Sequence, residues 1–305
     1  MRVVDLEPNG LKFPPALPII TSEENLAVPQ EVRNAIETLT PLPPTANRLI
    51  AALQREDGSL SSVADIIEFD EVIAARVLRL ARSAAYAGRM PIEDSRTAVM
   101  RLGAATILQL ALGTYLSALK VSAPLYDIDE QDLWSHAAAS ALAVRALQQE
   151  MPNRRLPPLA QTGALIHDIG KLVLVRSVKL RPADILAECE RSGCTWIEAE
   201  RHAIGCDHAE VGGLLARHWN LPEELAGAIE RHHDSPILSP DAMVDTMVFA
   251  NYVAKSVGTG LGAEGLNIRM DPKIFNRLGV RHDSFDRTCL QTWTWLKDLR
   301  RSIAA

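Results

Sequence analysis

The sequence predicts an all-α fold, and three observations carry that prediction. Apolar residues recur at i, i+3 and i+4 along most of the chain. Strict apolar–polar alternation is nowhere sustained for more than a few residues. Pro158, Pro182 and Pro222 each stand at a predicted first helical turn, where the missing N–H costs nothing.

The elements follow in chain order. Pro8, Pro14, Pro15, Pro18 and Pro29 give residues 1–37 the character of an extended, proline-containing arm, and the run Pro41 to Pro44 makes a rigid lead-in. Leu49, Ala52 and Leu53 then take helical spacing. Asp57-Gly58 makes a turn, and Ser61 or Ser62 can cap a helix bearing Val63, Ile66 and Ile67. Ile73, Val77 and Leu80 form the next stripe. Val99, Leu102, Ile107, Leu110 and Leu112 continue it, with Gly103 as a break and Tyr115 and Leu119 as further core. Roughly five helices fit before Lys120.

Val121 to Asp129, with Pro124, connects to a second helical unit. Its helices are expected at Asp132–Gln149, Pro158–Val178, Pro182–Arg191, Ala209–Trp219, Pro222–His233 and Met243–Val257. Gly258, Gly260, Gly262 and Gly265 make a loop before a terminal helix bearing Trp293 and Trp295. Residues 257–305 thus form a C-terminal loop and helical extension.

Composition narrows the function. At 305 residues with 47% hydrophobic and 23% charged, the chain is neither disordered nor collagen-like, and long enough for two modest domains. A net charge of −6 and a pI near 5.8 argue against a globally basic nucleic-acid binder. No run approaches the roughly 20 apolar residues of a membrane span. With no signal-peptide pattern and no CxxC spacing among Cys189, Cys194, Cys206 and Cys289, the expectation is a reduced, cytoplasmic protein.

Chemistry concentrates in the histidines. His136, His167, His202, His208, His218, His232 and His233 lie within about a hundred residues. Imidazole with carboxylate suits borderline transition metals such as Fe, Mn, Ni or Zn. His167 and Asp168 are neighbours about 100° apart on a helix, so both can lean towards one metal. Lys171 follows on the same face, where it could steady a phosphate. Asp132 shares a face with His136. His202 reads as a surface residue and His218, beside Trp219, as a half-buried packing residue. Cys206 could join a zinc site, but its spacing matches no zinc module and a free cysteine is more often a small buried hydrophobe. Arg76, Arg79, Arg82 and Arg89 form either a basic stripe for a nucleotide, a nucleic acid or an acidic partner, or a solvated helix face.

GALIHDIGKLVL resembles the HD superfamily of metal-dependent phosphohydrolases at its His-Asp pair, and the order of histidines is similar to that of HD-GYP phosphodiesterases. The closer resemblance is to the HDOD family, the HD-related output domain of bacterial signalling proteins. It rests on PLPPTANRLIAAL, SLSSVADIIEFDEVIAARVLRLARSAAYAG, AVMRLGAATILQLAL, LWSHAAASALA, GALIHDIGKLVL, GCDHAEVGGLLARHWNLPEELAGAIERHH and VFANYVAK, in unbroken order over residues 38–256. The resemblance implies a two-lobed bundle, with an N-terminal helical lobe over 38–120 and an HD-like lobe over 121–256. It also implies a stand-alone signalling protein acting through protein partners, with a nucleotide as a candidate ligand. The implied metal set is His136, His167, Asp168, His208, His232, His233 and Asn251. Asp168 and Lys171 would be catalytic only if the chain is a phosphohydrolase.

The sequence departs from the family pattern in several places. Asp70-Glu71 replaces the common Asp-Pro, and Ala81-Arg82-Ser83 replaces Ala-Asn-Ser. Asn251 stands where catalytic relatives carry Asp, which removes a charge from the site. Asp245, nearly two turns away, is a poor substitute. No GYP-type motif follows His232-His233; the text there reads Asp234-Ser235-Pro236. Two readings of the cluster stay open: a one- or two-metal centre, or a polar cluster bonded internally and kept for packing.

Overall fold

The computed structural model describes residues 28–39, 41–54, 60–83, 86, 88, 91–118, 124–234, 240–263 and 271–304. The expectations on the arm before residue 28, Asp57-Gly58, Arg89, Leu119, Ser235-Pro236 and Gly265 fall outside these. Among the described residues the chain is helical, with no β-strand. No single helix there is long and apolar enough to cross a membrane.

The N-terminal helices are α1 (Gln30–Thr38), α2 (Pro44–Gln54), α3 (Leu60–Glu68), α4 (Glu71–Ala81), α5 (Ser95–Leu102) and α6 (Ala104–Ala118). Asp70 explains two links at once: one oxygen caps α4 by accepting from Ile73 N at 3.0 Å, the other accepts from Thr45 Oγ1 of α2 at 2.6 Å. Asp94 caps α5 in the same way, through Thr97 N at 2.7 Å. Gly103, at φ 78°, turns the chain by 104° into α6, whose Ile107, Leu108 and Leu112 are fully buried. Arg82 belongs to this framework, not to a free basic stripe, because its guanidinium donates to Ile92 O at 3.0 Å. Arg76 and Arg79 are exposed.

A 3-10 turn (Pro124–Tyr126) leads to α7 (Glu130–Glu150), capped by Asp129. Next come α8 (Ala160–Ile166), α9 (Ile169–Ser177), α10 (Pro182–Ser192), α11 (Trp196–Ile204), α12 (His208–His218) and α13 (Glu223–Glu230). The chain ends with α14 (Ala242–Ser256), α15 (Pro272–Leu278) and α16 (His282–Ala304). α7 is the spine, packed on α8, α14 and α16. α6 rests on α8, with Thr162 Oγ1 donating to Ala105 O at 3.3 Å, so one continuous apolar core runs through both groups of helices. Ala139, Leu142, Ala146, Trp295 and Leu296 bury α16 along α7, so the C-terminal extension closes the core. The Arg145 guanidinium of α7 lies 3.3 Å over the Tyr86 ring and 5.3 Å from that of Trp295.

Several elements differ from the sequence expectation. α1 lies inside the stretch assigned to the arm and packs on α9 and α12, because Val32 and Ile36 share one apolar face. The helix expected at Pro158–Val178 is two helices meeting at His167-Asp168. The helix expected to reach His233 ends at Glu230, leaving His232 and His233 in the following turn. α11 and α15 were not foreseen, although Thr195 and Glu198 form a capping box and Asp271-Pro272 opens α15. His218 is exposed, while its neighbour Trp219 is buried.

The approach of α9 to α12 positions the histidines. A Cβ at Gly170 would fall 1.9 Å from His208 O and 2.6 Å from Gly212 N. Only two glycines facing each other let these backbones come so near.

Candidate metal centre

Asp168 sits at the α8–α9 junction, and its carboxylate faces a different pair of imidazoles with each oxygen. Oδ2 lies 3.6 Å from His136 Nε2 and 3.5 Å from His167 Nε2. Oδ1 lies 3.3 Å from His208 Nε2 and 3.8 Å from His232 Nε2. His233 joins the second pair, with its Nε2 3.1 Å from that of His208. The ligand atoms therefore fall into two groups sharing Asp168: His136 with His167, and His208 with His232 and His233.

The far nitrogen of each of four rings is fixed by a partner that dictates where its proton sits. His167 Nδ1 donates to Ala164 O at 2.9 Å and His232 Nδ1 to Ile229 O at 2.6 Å, since a carbonyl can only accept. His208 Nδ1 donates to the Glu200 carboxylate at 2.9 and 3.1 Å. Thr259 Oγ1 spends its one proton on Ala254 O at 2.7 Å, so towards His136 Nδ1, 3.4 Å away, it acts as acceptor. All four rings thus turn Nε2 inwards. This is the arrangement in which outer partners orient ligating histidines.

The rings of the metal-free cluster differ in charge: His167 is held neutral, whereas His208 keeps a proton that a metal would have to displace. Burial holds His167 well below 6.5, so its Nε2 carries a lone pair that points at a carboxylate oxygen. Burial alone would raise Asp168, but the surrounding imidazoles and the Lys171 ammonium outweigh it and hold the acid well below the usual carboxylate range. For His208, burial opposes the charge while Glu200 and Asp168 favour it, and the result is a pKa raised to about 10. The Nε2 atoms of His167 and His232 are buried with no hydrogen-bond partner.

Two buried, unpartnered ring nitrogens beside a carboxylate are what a bound cation would satisfy. Ligand atoms about 2.1 Å from one tetrahedral or octahedral ion stand roughly 3.0–3.5 Å apart. The separations of 3.3–3.8 Å from Asp168 to the four imidazoles lie close to that span. The residues present therefore fit a divalent transition metal.

Lys171 is committed within the cluster: its ammonium donates to Asp168 Oδ2 at 2.9 Å and lies 5.0 Å over the Tyr126 ring. Asn251, on α14, has a buried Oδ1 with no hydrogen-bond partner. Asp245 turns elsewhere and pairs with Arg277 of α15, which ties that helix to α14. Asp132 is exposed, apart from the buried His136. Cys206 is fully buried, and burial with nearby carboxylates pushes its thiol up to about 12, as expected of a core residue. Sequence reasoning missed Glu200. It is fully buried on α11 and accepts from Trp196 Nε1 at 3.0 Å and from His208 N at 2.9 Å. Its signal was the capping box that starts α11 and sets Glu200 one turn beyond Trp196.

The HDOD domain profile matches residues 39–235. A curated relative from Treponema pallidum (strain Nichols), named only as an uncharacterized protein, is 25% identical over 231 residues, covering 72% of this chain and 43% of the relative. The chain thus spans less than half the length of that relative. A crystal structure of an HDOD domain protein of unknown function from Geobacter sulfurreducens is 24% identical, with a TM-score of 0.61 over 90% of this chain and 94% of that one. A protein from Marinobacter aquaeolei VT8, provisionally named for signal transduction, is 21% identical, with a TM-score of 0.66 over 91% of this chain and 67% of that one. These structures share the all-α fold. With the profile covering well over half of its length, the chain belongs to the HDOD domain family.

Proposed function

We propose that this chain is a signal-transduction regulator that works through protein contacts. In this reading His136, His167, Asp168, His208, His232 and His233 hold a divalent transition metal (Fe, Mn, Ni or Zn) as a buried sensing element. The observation that carries the reading is the near-closure of the cluster, in which His233 is half-buried and the other side chains lie deeper. The His136, His167, His208 and His232 side chains are 0–4% exposed and that of Asp168 11%. A hydrolytic metal site keeps an open position reachable by substrate, whereas a structural or sensing site is closed. Asn251, in place of a carboxylate, adds a neutral oxygen and leaves the site less able to drive hydrolysis. Phe69, 85% exposed, and Val72, 57% exposed, present apolar surface at the α3–α4 corner, in keeping with a role in contacts. The signal-transduction name of the Marinobacter protein points the same way.

A second reading is a metal-dependent phosphohydrolase acting on a nucleotide. It is favoured by one specific feature, the two oxygens of Asp168 facing separate histidine groups, as in centres built for two ions. Bound metal would supply Lewis acidity and a more acidic water. Asp168 would orient that water and Lys171 would hold a phosphate oxygen.

The test is the metal content of untagged protein purified without chelator, measured by elemental mass spectrometry. The same measurement is made on the His167→Ala/Asp168→Ala variant, followed by a nucleotide-hydrolysis screen. The expected result is near-stoichiometric metal that vanishes in the variant, without turnover. Metal-free, folded protein that refuses added metal would overturn the centre. Turnover abolished by the variant would establish the hydrolase instead.

A further inference from the structure

A second group of metal-type donors lies on the α10–α11 hairpin, where the sequence suggested only a surface histidine and unremarkable cysteines. Glu188 of α10 is 4% exposed, unusual for a carboxylate. Its Oε1 accepts from Ser192 Oγ at 2.8 Å and faces His202 Nδ1 of α11 at 3.2 Å, while its Oε2 pairs with Arg191. Gly193, left-handed at φ 65°, then folds the chain back so that the Cys194 thiol donates to Glu188 O at 3.9 Å. Ligand atoms of Glu188, Cys194 and His202 lie within 4.8 Å of one another. The Cys189 thiol, one residue beyond Glu188, neighbours that of Cys194, and burial first and then Cys194 push it up to about 11. One sulfur, an imidazole and a carboxylate thus meet at one end of a hairpin, with the second sulfur, of Cys189, beside Cys194.

We propose that Cys189, Cys194 and His202, with Glu188 as oxygen donor, form a second cation site, separate from the His/Asp cluster, that takes a thiophilic divalent ion of the Zn²⁺ class. Paired sulfurs with an imidazole select zinc-like ions over Mg²⁺ or Ca²⁺. Four residues between the cysteines fall within the spacing that zinc hairpins use. Binding releases the two thiol protons, so affinity rises with pH. The ion would bolt α10 to α11, the helix that also carries Glu200, and would so stiffen the support of His208.

Cobalt tests the proposal, because only a site containing sulfur gives thiolate-to-cobalt charge-transfer absorption in the near ultraviolet. Co²⁺ is titrated into the full-length, metal-free chain held reduced by a phosphine. The expected result is an absorption that saturates at one equivalent and is bleached by Zn²⁺. It survives in His167→Ala/Asp168→Ala, disappears in Cys189→Ser and Cys194→Ser, and weakens in His202→Ala. That last variant removes an exposed side chain and leaves the fold intact. No absorption from reduced, folded wild-type protein would overturn the proposal, as would absorption that persists in the Cys189→Ser/Cys194→Ser double variant.

Discussion

Substituting Gly170 by Ala tests the link between helix packing and the His/Asp cluster. The added methyl would lie 1.9 Å from His208 O, whereas a carbon needs about 3.3 Å from a carbonyl oxygen, so α9 and α12 must part by about 1.4 Å. No rotamer relieves the contact, because His208 O and Gly212 N are both backbone. Overpacking typically costs ~1–3 kcal/mol, and with backbone on the far side Gly170→Ala belongs at the upper end, about 3 kcal/mol. The same displacement draws His208, in the first turn of α12, away from Asp168, which it now faces at 3.3 Å. Metal affinity should fall by roughly 10–100-fold, as when a ligand is misoriented. Urea unfolding of the metal-free protein reads the first effect, and metal titration in native buffer the second. Gly113→Ala is the control. Its methyl meets only Leu165 Cδ2, at 3.7 Å, and in the middle of α6 it should stabilise by about 0.5–1 kcal/mol. A Gly170→Ala protein as stable as wild type, with unchanged metal affinity, would refute the reasoning.

Three further outcomes are expected. Glu200→Gln, which removes the carboxylate behind His208, should weaken metal binding by roughly 10–100-fold, measured by calorimetric titration. Asn251→Asp should tighten metal binding in the same assay, since its buried, unpartnered oxygen would gain a charge; unchanged affinity would show that this position does not reach the ion. Two histidines of the metal-free cluster should contribute to stability with opposite pH dependence. Burial puts the folded pKa of His167 below 6.5, so the stability it contributes is complete above that value and is lost as pH falls. His208, raised to about 10, contributes in full below 6.5 and loses its contribution as pH rises towards about 10. Urea midpoints across the range show both limbs, and Glu200→Gln should flatten the alkaline one.

Much of the fold was legible because helical periodicity and proline placement are local signals. α7, α10, α12 and α14 lie within a few residues of their expected bounds. The break at His167-Asp168 was not legible, because no local residue type demands it. Just beyond it Gly170 packs against α12, a partner distant in sequence. The cluster's histidines were legible as residue types in order, and the structure places His136, His167, His208, His232 and His233 around Asp168. What sets each ring is a backbone carbonyl, a glutamate or a threonine elsewhere in the chain, and these leave no pattern around the histidines themselves. Glu200 and Thr259 went unseen for that reason. The Glu188, Cys189, Cys194 and His202 group was hidden for a simpler one, since α11, which carries His202, was not anticipated.

The contact between His136 and Thr259 spans 123 residues. At a synthesis rate of ~5–20 residues per second, Thr259 leaves the ribosome roughly 6–25 s after His136. His167 and Asp168 emerge early in that interval, and His208, His232 and His233 later. A nascent chain therefore presents first a half-set of donors on one side of Asp168, then the other half, and only at the end the hydroxyl that fixes the first ring. Ions that exchange within milliseconds can visit the early half-set and leave again. On the proposed metal-binding reading, lasting capture would wait for chain closure, so what the finished fold holds best, not the order of arrival, would decide which ion is kept.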